Sequence, residues 1–290
     1  MRIGFIGLGV MGRPMALHLL KAGHSLAVYA RRPEAAVAVT TAGATLASSP
    51  AELASHADVV MTNVTATADV EQVLLGPDGV IHGARPGTIV IDFSTIAPQG
   101  AKRIASALAD RGITMLDAPV SGGAVGAEAA TLVIMVGGPA EALAKARPLL
   151  ERLGRQVVHM GPSGSGQVAK ACTQLALLVN AEGAAEALSL GARFGLDLAA
   201  LREAMMGGLA ASRVLDFFGP KMAARDFTPV APARLYDKDL GFVLDLAREA
   251  GLELPAAAIV RARLDRLVAE GKSTQDLAAL IELVERGNSG

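Results

Sequence analysis

Two clusters in the sequence hold residue types that could do chemistry. The first is Gly7-Leu8-Gly9-Val10-Met11-Gly12, a G-x-G-x-x-G run directly after the strand-like segment 2–6 and before a helix-compatible segment. In that setting Gly7 permits a tight turn, Gly9 lets the backbone approach a pyrophosphate, and Gly12 lets a helix pack closely on a strand. The helix N-terminus then offers N–H groups and a positive dipole to phosphates. The plainer reading is a glycine-rich turn used only for packing. The second cluster surrounds Lys170 in QVAKACTQLALLVN, a helical run with few polar positions. Burying an ammonium costs free energy unless a partner or a changed protonation state compensates. Thr173 and Gln174 lie three and four residues on, hence on the same helical face. Spacing alone leaves two readings: a solvated lysine near a helix start, or a general acid and base beside a nicotinamide. Cys172 falls on another face and reads as packing rather than as a nucleophile.

Two further stretches bear on what those clusters would hold. In VYARRPE, at the end of the second strand-like run, a dinucleotide fold that reads a free ribose hydroxyl would carry an acid. Here Ala30 stands there, followed by Arg31 and Arg32. Losing the acid removes both an acceptor and a repulsion toward phosphate, and guanidinium forks can hold a 2′-phosphate. That favours NADP(H), with NAD(H) also possible; as a plainer alternative, both arginines are solvated loop residues. The stretch Asp117-Ala118-Pro119-Val120-Ser121-Gly122-Gly123 ends in small residues whose N–H groups and hydroxyl could form an anion-binding concavity.

The elements that must position these residues change character midway. Strand-like runs at 2–6, 25–30, 58–62, 88–92, 114–118, 131–136 and 156–159 alternate with Ala-rich helical segments, the pattern of a largely parallel sheet covered by helices. After Gly161 to Gly166 only helical runs follow, near 166–194, 197–207, 211–223, 232–250, 255–270 and 274–286. The expected architecture is an α/β Rossmann-like domain over 1–162 and an all-α domain over 163–290.

Composition narrows the partners. The 290 residues are 51% hydrophobic and 19% charged with a net charge of -1, which argues against disorder and gives no electrostatic footprint for nucleic acid or an anionic membrane. A small molecule is the expected partner. The single cysteine allows no intrachain disulfide, and the first strand-like run starts too early to leave room for a secretory signal, so a cytoplasmic location is expected. The apolar stretch 168–190 is interrupted by Lys170, Asn180, Glu182 and Glu186, which suits a buried helix better than a membrane span. No metal site is expected.

The sequence resembles the β-hydroxyacid dehydrogenases, the group that includes 3-hydroxyisobutyrate dehydrogenase, tartronate semialdehyde (2-hydroxy-3-oxopropionate) reductase and the glyoxylate/succinic semialdehyde reductases. The resemblance rests on GFIGLGVMGRPMALHLLKAGH, DAPVSGGAVGAEAATLVIMVGG, GSGQVAKACTQ and KDLGFVLDLAREAGLELP, four motifs in order over nearly the whole chain. It implies a Rossmann-like domain, a helical domain and an active site between them. It further implies Lys170 as catalytic acid and base, and Ser121, Gly122 and Gly123 as the grip on a substrate carboxylate. Asn63, Val64 and Thr95 would touch the cofactor, and Lys238 would lie near its nicotinamide end. Arg31 matches the arginine common in NADP-using relatives, and members of the family are usually homodimers or homotetramers joined largely through the helical domain. Thr173 and Gln174 stand where many relatives have asparagine, and Val230 to Ala233 lack an aromatic common in relatives, so the substrate pocket should differ in shape. The expected activity is NADP(H)-dependent interconversion of a small 3-hydroxy acid and its semialdehyde or 3-oxo acid. Imine reduction and non-catalytic dinucleotide binding are the alternatives.

Overall fold

The computed structural model describes residues 1–287. The chain divides into two compact units, Met1–Lys170 and Ala171–Gly290, and the division falls inside the helix Ser165–Arg193. The first unit is built on one sheet whose strands are β1 (Arg2–Ile6), β2 (Ser25–Tyr29), β3 (Thr45–Leu46), β4 (Val59–Thr62), β5 (Ile89–Asp92), β6 (Thr114–Asp117), β7 (Val120–Ser121), β8 (Leu132–Gly137) and β9 (Gly154–Gly161). Their order is β3-β2-β1-β4-β5-β6-β8-β7, with β9 pairing in parallel to β8. The pairs from β3 through β6 are parallel, while β8 runs antiparallel to β6 and β7.

Fully buried strands explain the runs of Val, Ile and Met, because a parallel sheet is covered on both faces. Side chains alternate between two cores: Phe5, Val28, Met61 and Ile91 lie in one, and Val60, Val90 and Met115 in the other. The order 3-2-1-4-5-6 reverses direction between β1 and β4, so the loops leaving those strands open a crevice at the carboxyl edge of the sheet. Glycine loop and Asn63 both follow strands at that switch.

The second unit is helical among its described residues: the remainder of Ser165–Arg193, then Leu198–Met206, Arg213–Ala224, Ala233–Ala250, Pro255–Ala269 and Leu280–Arg286. Leu178, Ala185, Leu188, Phe218, Leu240, Leu264 and Leu280 build its core. Among the described residues, Ser165–Arg193 is the one helix long and apolar enough to cross a membrane by length and composition. It contributes Leu178, Ala181, Ala185 and Leu188 to the helical core and carries Glu182, which is buried and paired with Arg263.

Three elements differ from the sequence pattern. β3 and β7 are two-residue strands, too short to show a period of two. The last helix starts later than position 274, because Asp276 is fully buried and accepts from the amides of Val230 and Ala278. That holds the chain in a bridge to Pro232 before a 3₁₀ turn at Leu277–Ala279.

Candidate active site

The glycine loop leaves β1 under tight constraint. Gly7 has φ +96°, and a Cβ there would stand 2.2 Å from the carbonyl oxygen of Asn63. The loops after β1 and β4 therefore lie close together at Gly7, with the Asn63 amide donating to Ile6 O at 2.9 Å. Gly12 begins the helix Gly12–Lys21, and a Cβ on it would fall 1.9 Å from Gly7 O, so helix and strand fit only without a side chain. At Gly9 a Cβ would meet nothing within 4 Å, which leaves its backbone open to a ligand. Leu8 is buried, Met11 packs against the core and Val10 is 65% exposed.

The loops after β4 and β5 are joined by a buried polar network. Asp92 is fully buried, and its Oδ1 accepts from Thr62 Oγ1 at 2.7 Å and from Ser94 Oγ at 2.6 Å. Ser94 Oγ in turn accepts from the Val64 amide at 2.9 Å, so the Asn63–Val64 turn is tied to the loop that carries Thr95. Burial pushes the Asp92 carboxyl up to about 6, against the hydrogen bonds from Ser94 and Thr62.

That same loop is braced from the helix bearing Lys170. Gln167 is 2% exposed, and its Nε2 donates to Ser94 O at 2.8 Å while its Oε1 accepts from the Ile96 amide at 3.1 Å. Asp117, at the end of β6, caps the helix start: Oδ1 accepts from Gly164 N at 2.7 Å and Oδ2 from Gln167 N at 3.0 Å. A carboxylate at a helix N-terminus is favoured by the helix dipole. Burial pushes Asp117 upward, while these amides pull it back. Gly166 is required here, since its Cβ would stand 2.5 Å from both Asp117 O and Met135 O. Lys170 follows one turn after Gln167 and is buried at 8% exposure.

Asp117 also begins the segment that leads to the second glycine cluster. Ser121 ends β7 opposite Val133, and Gly122 and Gly123 follow with φ of +132° and +60°. The chain can make this turn because neither residue has a Cβ. Gly122 and Gly123 are exposed, and Ser121 is half-buried.

In the helical unit, Gln174 is buried and its Nε2 donates to Asp239 Oδ2 at 2.7 Å. Lys238 Nζ pairs with the other oxygen of Asp239 at 3.2 Å and lies 5.2 Å from the Phe242 ring centroid. Thr173 is half-buried. Cys172 is exposed, contrary to the packing expected of it. It shares a solvent-facing stripe with Val168, Ala176 and Asn180, while Ala171, Gln174 and Leu178 take the buried side.

Matches to known proteins cover both units. Residues 2–161 match the family model described as the NAD binding domain of 6-phosphogluconate dehydrogenase. Residues 164–284 match the model described as NAD-binding of NADP-dependent 3-hydroxyisobutyrate dehydrogenase. An NAD-dependent L-serine dehydrogenase of Pseudomonas aeruginosa is 40% identical, with 98% of each chain covered. A 3-hydroxyisobutyrate dehydrogenase of the same organism is 42% identical, with 89% of each covered. The chain belongs to the β-hydroxyacid dehydrogenase family. A solved 3-hydroxyisobutyrate dehydrogenase of Mycobacterium tuberculosis, described with L-serine, superposes with a TM-score of 0.89 at 33% identity, covering 97% of this chain and 98% of that one.

This β-hydroxyacid dehydrogenase is thus an NAD(P)-dependent oxidoreductase of small hydroxyacids. The residues present fit a dinucleotide, because the open backbone at Gly9 and the close approach at Gly7 make the cradle that a pyrophosphate needs. Arg31 and Arg32 are exposed after β2, and the Arg31 guanidinium lies 4.0 Å from Asp69 Oδ1. Asp69 is itself held by the Ala66 amide at 3.1 Å. Asp69, Asp92, Ser94, Gln167 and Asp239 were not among the residues expected from sequence. GSGQVAK and KDLGF did contain Gln167 and Asp239, but nothing local linked them to their partners.

Proposed function

We propose that this dehydrogenase is NADP(H)-dependent and interconverts a small 3-hydroxy acid with its semialdehyde or 3-oxo acid, with Lys170 as proton donor and acceptor. The observation that carries this reading is the setting of Lys170: 8% exposed, one turn beyond a helix start that Asp117 caps and Gln167 braces against the Thr95 loop. A lysine is seldom so buried without a task. Bound at the glycine loop, the dinucleotide supplies or accepts the hydride. Lys170 holds a proton at Nζ, gives it to the carbonyl oxygen in reduction, and takes it from the hydroxyl in oxidation.

The cup at Ser121, Gly122 and Gly123 receives the substrate carboxylate through backbone N–H groups and a hydroxyl. Thr173 hydrogen-bonds the substrate where many relatives use asparagine, and Gln174, held by Asp239, shapes the wall beside it. Asn63, Val64 and Thr95 contact the cofactor, with Lys238 toward its nicotinamide end. L-Serine and 3-hydroxyisobutyrate, named for two relatives, each place a primary alcohol β to a carboxylate, and that is the substrate class we assign. Arg31, supported by Arg32, takes the 2′-phosphate, since Ala30 leaves no carboxylate to repel it. We also propose a cytoplasmic homodimer or homotetramer that binds neither nucleic acid nor membrane. The exposed Leu190, Phe194 and Leu196 of the helical unit favour assembly through that unit.

Oxidation of NADPH and of NADH with short semialdehydes and 3-oxo acids tests the proposal. Its kcat/KM should be about tenfold or more higher with NADPH, the scale of one lost charge-assisted contact. Equal rates or a preference for NADH would reject the cofactor assignment. Tight NADPH binding with no turnover of any carbonyl would reject the activity.

A further inference from the structure

Gln167 is the only side chain, in the hydrogen bonds described above, that grips the loop after β5 on both sides of Thr95. Its Nε2 donates to the carbonyl of Ser94, the residue before Thr95, and its Oε1 accepts from the amide of Ile96, the residue after. The side chain spans 71 and 73 residues of sequence to do so, and it is buried throughout. A neutral amide satisfies this pair and an ionised carboxylate does not, because one end must donate and the other accept. The main chain of Gln167 is fixed as well, its N–H given to Asp117 Oδ2. Lys170 sits three residues on, on the same side of the helix.

Two further bonds extend the connection. Ser94 Oγ takes the Val64 amide and gives its proton to Asp92. Hydrogen bonds therefore connect the Asn63–Val64 turn and the Thr95 loop to Gln167, which lies one helical turn before Lys170.

We infer that Gln167 is a positioning residue, which sets the Thr95 loop, and with it the nicotinamide end of the cofactor, at a fixed place relative to the Lys170 helix. This rests on the cofactor-loop and lysine roles proposed above. Gln167 touches neither proton nor hydride. Its effect is on registration, where misplacement by about 1 Å can cost on the order of 100-fold in rate. The adenosine half of the cofactor, at Gly9 and Arg31, makes no use of the brace.

Binding, rather than turnover alone, tests the inference. In Gln167→Met, a similar volume without the two hydrogen bonds, 2′-phospho-ADP-ribose should bind within about twofold of the parent protein, whereas intact NADPH should bind about tenfold more weakly. Gln167→Glu supplies the second readout. Ionised, it repels the Ser94 carbonyl; protonated, it can again donate to Ser94 and accept from Ile96. NADPH affinity of Gln167→Glu should therefore be poor near pH 8 and recover toward the parent as pH falls. Gln167→Met, which retains the neighbouring Asp92, Asp117 and Lys170, corrects for their titration. The kcat of both variants near pH 8 should fall with little change in the KM of the carboxylate substrate.

Equal weakening of 2′-phospho-ADP-ribose and NADPH would show only damage to the fold and overturn the inference, as would unchanged NADPH affinity in Gln167→Met. A pH-independent loss in Gln167→Glu would do the same. Failure of the parent protein to turn over any 3-hydroxy acid would instead strike the proposed function, while the binding comparison still decides the role of Gln167.

Discussion

The two regions proposed to hold the ends of the dinucleotide are built by opposite means. At Arg31 the groups are charged and exposed: a side chain 89% accessible, its guanidinium 4.0 Å from Asp69 Oδ1. Around Thr95 the groups are buried and mostly neutral, with Gln167, Ser94 and Thr62 joined by hydrogen bonds of 2.6 to 3.1 Å. Charge at a surface discriminates between ligands at little cost in stability, because water screens it. Buried hydrogen bonds fix geometry, but each is expensive to break. Under the roles proposed for Arg31 and the Thr95 loop, the difference teaches that recognition of a phosphate tolerates movement, whereas placing a reacting ring does not.

Substitutions can sharpen or break that contrast, beginning with the buried end. Asp117→Ala should cost about 3 kcal/mol of unfolding free energy in urea titrations, because it leaves the Gly164 and Gln167 amides buried without acceptors. A loss under about 1 kcal/mol would mean that the helix start is not held as described.

Asp92 should show itself through pH. Its carboxyl is held near 6 in the native protein against an ordinary value near 3.8, so between these values the native state binds more protons than the unfolded chain. Its contribution to stability is therefore present at low pH and declines as pH rises from about 4 to about 6. Asp92→Asn cannot ionise, and relative to it the parent should lose roughly 2 kcal/mol across that window. Parallel stability curves for the two proteins would show that Asp92 does not titrate there.

Effects at the exposed end should fall on binding alone. Arg31→Ala should weaken NADPH about tenfold, with NADH affinity and unfolding free energy little changed. Equal loss for both cofactors would detach Arg31 from the 2′-phosphate. Asp69→Asn should have the smallest effect, a gain in NADPH affinity of about two- to threefold that vanishes in high salt. A decrease in affinity would show that Asp69 orients Arg31 instead of competing for it.

Much of the first unit was legible because its signals are local. The glycine run sits directly after a strand, and the Val- and Ile-rich runs mark buried parallel strands. The two arginines in VYARRPE announced a charge change without any fold. What escaped the sequence were partners made by folding. Asp117 reaches Gly164 and Gln167 across 47 and 50 residues, and Gln167 reaches Ile96 across 71. No periodicity encodes such pairs, since they depend on which strands lie adjacent in the sheet. Cys172 was misjudged for a related reason: its place away from Lys170 was readable, but whether that side of the helix is covered was not. Asp69 came beside Arg31 only through the order of β2, β1 and β4.

The central claim is that a buried lysine moves the proton on a scaffold that otherwise binds dinucleotide, and Lys170→Ala measured two ways tests it most directly. With a semialdehyde that the parent protein reduces, kcat should fall by about 100-fold or more, in the range of lost general acid catalysis, while the NADPH dissociation constant stays within about threefold. Turnover like that of the parent at unchanged NADPH affinity would contradict the account and remove Lys170 from the chemistry.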